Sequence, residues 1–139
     1  MKYRYTTISD PSHPNRPAWH RPMVDFKIYG LRDGLTLTGL LDSGADYTIV
    51  SSQVAKAVGI ELGGIISQPI VGIGGGAMGK LAYADVEINQ MERVKIPVLF
   101  VDDFKYVLLG QVGIFDYFKI KFERDHFTFE IVPTKKTAR

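Results

Sequence analysis

Apolar and polar residues alternate with period two in matched runs near both ends of this chain, and that pattern restricts the fold more than any other feature. Val24, Phe26 and Ile28 alternate with Asp25, Lys27 and Tyr29, and beyond Asp33-Gly34 the residues Leu35 and Leu37 alternate with Thr36 and Thr38. Phe118, Ile120 and Phe122 alternate with Lys119, Lys121 and Glu123, and beyond Arg124-Asp125 the residues Phe127, Phe129 and Ile131 alternate with Thr128 and Glu130. Successive side chains of an extended strand point to opposite faces, so each run offers one apolar face, and the turn residues between runs make each pair a β-hairpin. Residues 81–88 and 94–101 read as further strands around Asn89-Gln90, and Pro97 predicts an edge position or a bulge in the second. So many short strands predict a mostly β chain, a sandwich or closed barrel. Helix signals are sparse: Ser51 or Ser52 can cap a short helix with Val54, Ala55 and Val58 on one face and Gly59 as its left-handed stop. A second helical turn is expected after Gly113, around Ile114 and Phe115.

The chain has 139 residues, of which 45% are hydrophobic, enough for one buried core and too few for two domains. That domain is expected over residues 23–133. Pro11, Pro14, Pro17 and Pro22 make residues 1–22 an extended Pro-rich arm, and residues 134–139 form a basic tail. Trp19, Tyr3 and Tyr5 are candidates to pack the arm onto the domain. Cysteine is absent, which excludes disulfides and thiolate chemistry. Seventeen Lys and Arg against fifteen Asp and Glu, scattered along the chain, give no electrostatic footprint for nucleic acid. No apolar run approaches the ~20 residues of a membrane helix, and the N-terminus has no apolar signal region, so a cytoplasmic location is expected. His13, His20 and His126 lack metal-ligand spacing, and no metal or cofactor is expected.

The strongest chemical signal is Leu40-Leu41-Asp42-Ser43-Gly44-Ala45-Asp46, where an apolar strand delivers a carboxylate to the mouth of a turn. Gly44 permits close backbone approach and its amide can donate to a carboxylate oxygen, while Ser43 supplies a short hydroxyl. Taken alone, Asp-Ser-Gly is also a common turn composition. The glycine-rich run at residues 71–79 fits two nucleotide-binding patterns, G-x-G-x-x-A from Gly72 and G-x-x-x-x-G-K from Gly74 to Lys80. Leu81 stands where the phosphate loop needs Ser or Thr, and a strand follows where a helix is required. A mobile hairpin tip explains the glycines better.

Three segments stand together in one order: residues 40–45, the glycine-rich residues 71–79, and Leu108-Leu109-Gly110 ahead of residues 113–118. In this the chain resembles the retropepsin-like aspartic proteases, most closely the bacterial single-domain members, in which a Phe-Asp-x-Phe stretch like residues 115–118 recurs. The resemblance spans residues 24–132. It implies a closed β-barrel of the acid-protease type with one or two short helices and one lobe per chain. It implies an aspartic endopeptidase in which Asp42 is catalytic and Ser43 and Gly44 orient its carboxylate. Ala45 and Asp46 would line the substrate cleft, and Val71, Ile73, Gly74, Gly75 and Gly76 would form a flap over an extended peptide or protein substrate. Two carboxylates are needed for this chemistry and the chain has one such turn, so a homodimer with Asp42 on either side of a two-fold axis is implied. The arm and the strand beyond Phe127 are the candidates for its interface. Relatives often pair the residue at Asp46 with an arginine just after the late glycine; Gln111 and Val112 stand there instead, which speaks against an ion pair. The competing expectation is a noncatalytic peptide-binding or dimerisation module on the same fold.

Overall fold

The computed structural model describes residues 1–70 and 76–135. The hairpins expected from the alternation are present: β4 (Met23–Tyr29) pairs antiparallel with β5 (Leu35–Leu41), and β11 (Phe118–Glu123) with β12 (Thr128–Pro133). β8 (Met78–Ile88) pairs antiparallel with β9 (Val94–Val101). The turn between them places Asn89 and Gln90 at φ 46° and 61°, with Met91 N–H bonded to Ile88 O at 2.9 Å. Left-handed backbone at both central residues matches the right-handed twist of the flanking strands.

α1 (Ser52–Val58) follows directly on β6 (Thr48–Ser51). Ser51 rather than Ser52 caps it, accepting from Gln53 N–H, and Gly59 ends it at φ 78° as the sequence predicts. Ala55 and Val58 are its buried face.

β10 is only Leu108–Leu109, yet it closes the architecture. It lies between β5, to which it is parallel, and β6, to which it is antiparallel. β6 then pairs in parallel with β9, and β8 pairs back onto β4 over Asp85 to Ile88. The neighbour sequence β4-β5-β10-β6-β9-β8 thereby closes on itself as a six-stranded barrel. Phe26, Ile28, Val50, Val86, Ile88, Ile96, Val98, Phe100 and Leu109 are at most 2% exposed and fill it. Every edge inside the barrel is paired, which removes the exposed edges of an open sheet. Pro97 was expected at an edge or bulge, whereas β9 is an interior strand. The pairing with β6 begins only at Val98, so at Pro97 the strand has β8 as its single partner, and proline is tolerated there.

β7 (Gln68–Pro69) adds to β8 at Met78 and Gly79, and Ile70 N–H bonds Ala77 O at 2.9 Å. These flank the glycine-rich residues 71–75, which lie outside the described residues. Outside the barrel, β1 (Lys2–Arg4) pairs with β12, giving the three-stranded sheet β1-β12-β11, and β2 (Thr6–Ile8) pairs with β3 (Trp19–Arg21). Tyr3 stacks on Phe129 at 5.2 Å between centroids, and Tyr5 also packs on the core. Trp19, expected to help pack the arm, is instead 54% exposed, with the Arg21 guanidinium 5.5 Å from its ring centroid. Among the described residues no helix is long and apolar enough to cross a membrane.

Candidate active site

Asp42 is the first residue beyond β5 and is half-buried. Its N–H bonds Leu109 O at 3.0 Å, continuing the pairing of β5 with β10 one residue past the strand. Its Oδ1 accepts from Gly44 N–H at 2.9 Å, and its carbonyl accepts from Ala45 N–H at 3.2 Å. A Cβ at Gly44 would stand 3.2 Å from Oδ1, so this position suits a residue without one. One oxygen of the carboxylate is thus held by the Gly44 amide of its own turn, and among the described residues Oδ2 has no hydrogen-bond partner.

The rest of the turn is pinned by the segment after β10. Gln111 N–H bonds Ala45 O at 2.8 Å and Val112 N–H bonds Asp46 O at 2.7 Å. Gln111 Nε2 donates to Ser43 O at 2.8 Å. Gly110 N–H donates to Thr48 Oγ1 at 3.3 Å, and Thr48 is fully buried. Gly110 lies so close to the turn that a Cβ there would be 2.3 Å from Tyr47 O and 2.8 Å from Ala45 O. Beyond it the chain kinks at Val112 and at Gly113, whose φ of 97° is a glycine conformation, and Gly113 N–H bonds Asp116 Oδ2 at 3.0 Å.

The structure therefore brings Asp42, Ser43, Gly44, Ala45 and Asp46 together on one turn, Ala45 half-buried and Ser43, Gly44 and Asp46 exposed. Among the described residues Asp46 has no ion pair, and its carbonyl accepts from Val112 N–H. Gly76, at φ 98°, is the described part of the expected flap, with no atom of the described residues within 4 Å of where its Cβ would be; Val71, Ile73, Gly74 and Gly75 lie outside the described residues. Lys80, the end of the phosphate-loop pattern, is on strand β8 with its Nζ 3.4 Å from Leu62 O. A strand rather than a helix behind the glycines removes the structural basis for phosphate binding.

Sequence reasoning passed over Thr48, Gly110 and Gln111 as site residues. Gly110 had a visible signal in its place after Leu108-Leu109. Thr48 and Gln111 act through contacts between segments more than sixty residues apart, which no local pattern displays.

Near the site, Ile49, Leu99 and Val101 form a small apolar cluster covered by Tyr47, Ile70, Leu81, Phe104 and Leu108. This cluster joins Tyr47, beside the site turn, to Ile70 and to Leu81 of β8. Among the described residues no group of three or more His, Asp or Glu is arranged to hold a metal ion.

Comparison with known proteins agrees with this geometry. A family model described as aspartyl protease matches residues 24–112, more than half of the chain. Among solved structures, the EIAV protease complexed with the inhibitor HBY-793 superposes with a TM-score of 0.52 at 22% identity, covering 66% of this chain and 82% of that one. No curated protein sequence matches. The strand-delivered Asp42 turn, the inserted β10 and the closed barrel coincide with the matched region, and the chain belongs to the aspartyl protease family, with a retropepsin-like fold.

Proposed function

We propose that the protein is an aspartic endopeptidase that hydrolyses peptide bonds as a homodimer, with one Asp42 from each chain. The observation that carries this reading is the Asp42 carboxylate itself, held at Oδ1 by Gly44 N–H on a turn fixed from Leu109, Gln111 and Val112. One chain supplies one such carboxylate, and a two-fold axis supplies the second.

Two carboxylates in one site hold a single proton between them, because both cannot ionise at close range. The ionised Asp42 takes a proton from a bound water as its oxygen attacks the scissile carbonyl carbon. The protonated Asp42 of the other chain gives its proton to the carbonyl oxygen. The resulting gem-diol collapses as one hydroxyl returns its proton to the carboxylate of the other chain, the C–N bond breaks, and the amine leaves with a proton given by the first carboxyl, which restores the starting pair. Ser43 and Gly44 orient the carboxylates, Ala45 and Asp46 line the cleft, and residues 71–76 close over an extended peptide. No cofactor takes part in these steps.

The test is cleavage of a diverse unstructured peptide mixture, read by mass spectrometry from acid to neutral pH, with wild type beside Asp42→Asn. Cleavage by wild type alone is expected. Equal products from both would refute the mechanism, and no Asp42-dependent product at any pH would favour a noncatalytic peptide-binding module.

A further inference from the structure

We infer that a cavity between α1 and the start of β8 binds a small monocarboxylate carrying an apolar group, with Lys80 as the residue that holds its charge. The inference goes beyond the protease reading and does not depend on it. Among the described residues Lys80 is the one Lys or Arg side chain that is not exposed. It makes no ion pair there, and its Nζ has a single hydrogen-bond acceptor, Leu62 O at 3.4 Å. An ammonium carries three donors, and taking a charge partly out of water is costly unless those donors are met. Lys80 is also the residue left over from the phosphate-loop pattern, whose structural context the strand removes.

The cavity beside it has a volume of about 430 Å³, within the range of small-molecule sites. Two paired strands build one side. Lys80 stands directly opposite Phe100 on β9, so the two side chains share a face of the sheet, with Met78 two residues before Lys80 and Asp102 two residues after Phe100. Ala55 of α1, with Ile60 and Leu62 beyond it, builds the other side. Ala55 and Phe100 are buried, whereas Met78 is 52% exposed and would be covered by an occupant. Gly79 lies between Met78 and Lys80 and its Cβ direction is opposite: a Cβ there would meet Leu99 and Val101, two members of the apolar cluster near the site turn. The cavity and that cluster therefore lie on opposite faces of one strand.

Charge selects the occupant. Two lysines, Lys56 and Lys80, and two carboxylates, Glu61 and Asp102, line the cavity. Each carboxylate has a donor of its own: Glu61 Oε1 accepts from Gly63 N–H at 2.7 Å, and Asp102 Oδ1 accepts from the Ser52 hydroxyl. Neither pairs with Lys80. The group short of partners is the ammonium, and its complement is an anion. A phosphate dianion would bring its second charge toward Glu61 and Asp102, whereas a monocarboxylate brings one charge to one lysine. Ile60, Leu62 and Met78 suit an apolar body on that carboxylate, whose burial adds to the affinity. An amine in the same place would be repelled by Lys80.

The experiment is an NMR titration of the full-length protein, following backbone amides, with three probes that share an apolar chain and differ in charge: hexanoate, hexanol and hexylamine. Hexanoate is expected to bind saturably, with shifts centred on Gln53, Leu62 and Lys80, and at least ~tenfold more tightly than hexanol, the gain of an ammonium–carboxylate contact. Hexylamine and inorganic phosphate are expected to leave those amides unmoved. Lys80→Met keeps an apolar stem and removes the charge; it should retain the wild-type circular dichroism spectrum and bind hexanoate only as weakly as wild type binds hexanol. If Lys80→Met fails to fold, the wild-type probe series decides alone. Equal affinity for hexanoate and hexanol would mean apolar adsorption only and would overturn the inference. So would shifts centred away from the cavity, undiminished hexanoate binding by a folded Lys80→Met, or phosphate binding as tight as that of hexanoate. The readout is binding, so its outcome is separate from whether the protein cleaves peptides.

Discussion

Strand β5 is bounded on each side by a turn containing aspartate and glycine, and the two turns are held in different ways. The first, residues 30–34, is exposed throughout and touches the rest of the fold chiefly at Arg32, whose N–H bonds Val58 O and whose Nη1 bonds Lys56 O at the end of α1. Leu31 in this loop is 95% exposed. The second, at Asp42, is bonded to Leu109, Gln111 and Val112 through main chain and side chain alike. The residue types are similar, and the difference is the segment laid against the second turn. A carboxylate becomes usable for chemistry when its position is fixed by contacts from elsewhere in the fold, and β10 with its following turn supplies them.

The widest contrast is expected at the aspartates themselves. Asp42→Asn keeps an oxygen for Gly44 N–H and should lower cleavage by ~10³-fold or more while moving stability by less than ~1 kcal/mol. Asp33→Asn should leave both unchanged, read by peptide cleavage and urea unfolding. Next in size is Gly110→Ala, whose methyl would meet the carbonyl oxygens of Tyr47 and Ala45; a loss of ~3 kcal/mol is expected from urea unfolding. Thr48→Val deprives Gly110 N–H of its acceptor at a fully buried position, which should destabilise by about 1–2 kcal/mol, seen as a lower melting temperature. Gln111→Ala removes one exposed hydrogen bond to Ser43 and should cost about 0.5–1 kcal/mol, with kcat falling more than stability would explain. Arg32→Ala, the matching change at the first turn, should cost at most ~1 kcal/mol and leave kcat unaltered. An Arg32→Ala effect on kcat equal to that of Gln111→Ala would erase the distinction between the turns.

Local features of the fold were legible because their causes are local. The alternation around Phe26 and Phe129 gave the hairpins, Ser51 and Gly59 bounded α1, and Asn89-Gln90 marked the β8–β9 turn. The aspartate turn was legible in the same way, as an apolar strand running into Asp42-Ser43-Gly44. Features that depend on distant segments were not. Leu108 and Leu109 are too short a run to announce that they lie between β5 and β6, and the closure of β8 onto β4 leaves no mark in either strand. Pro97 misled because local composition does not say where a neighbouring strand begins to pair. Trp19 misled because an isolated aromatic reads as packing material, whereas here it lies outside the core beside Arg21.

The central claim is that each active site is shared between two chains, and subunit mixing tests it most directly. Wild type at fixed concentration, well above its dissociation constant, is equilibrated with rising amounts of Asp42→Asn and assayed for peptide cleavage. With a shared site, a ninefold excess of the variant should draw nearly all wild-type chains into inactive mixed dimers and leave about a tenth of the activity. Activity that stays constant across the series would mean that each chain works alone, contradicting the account.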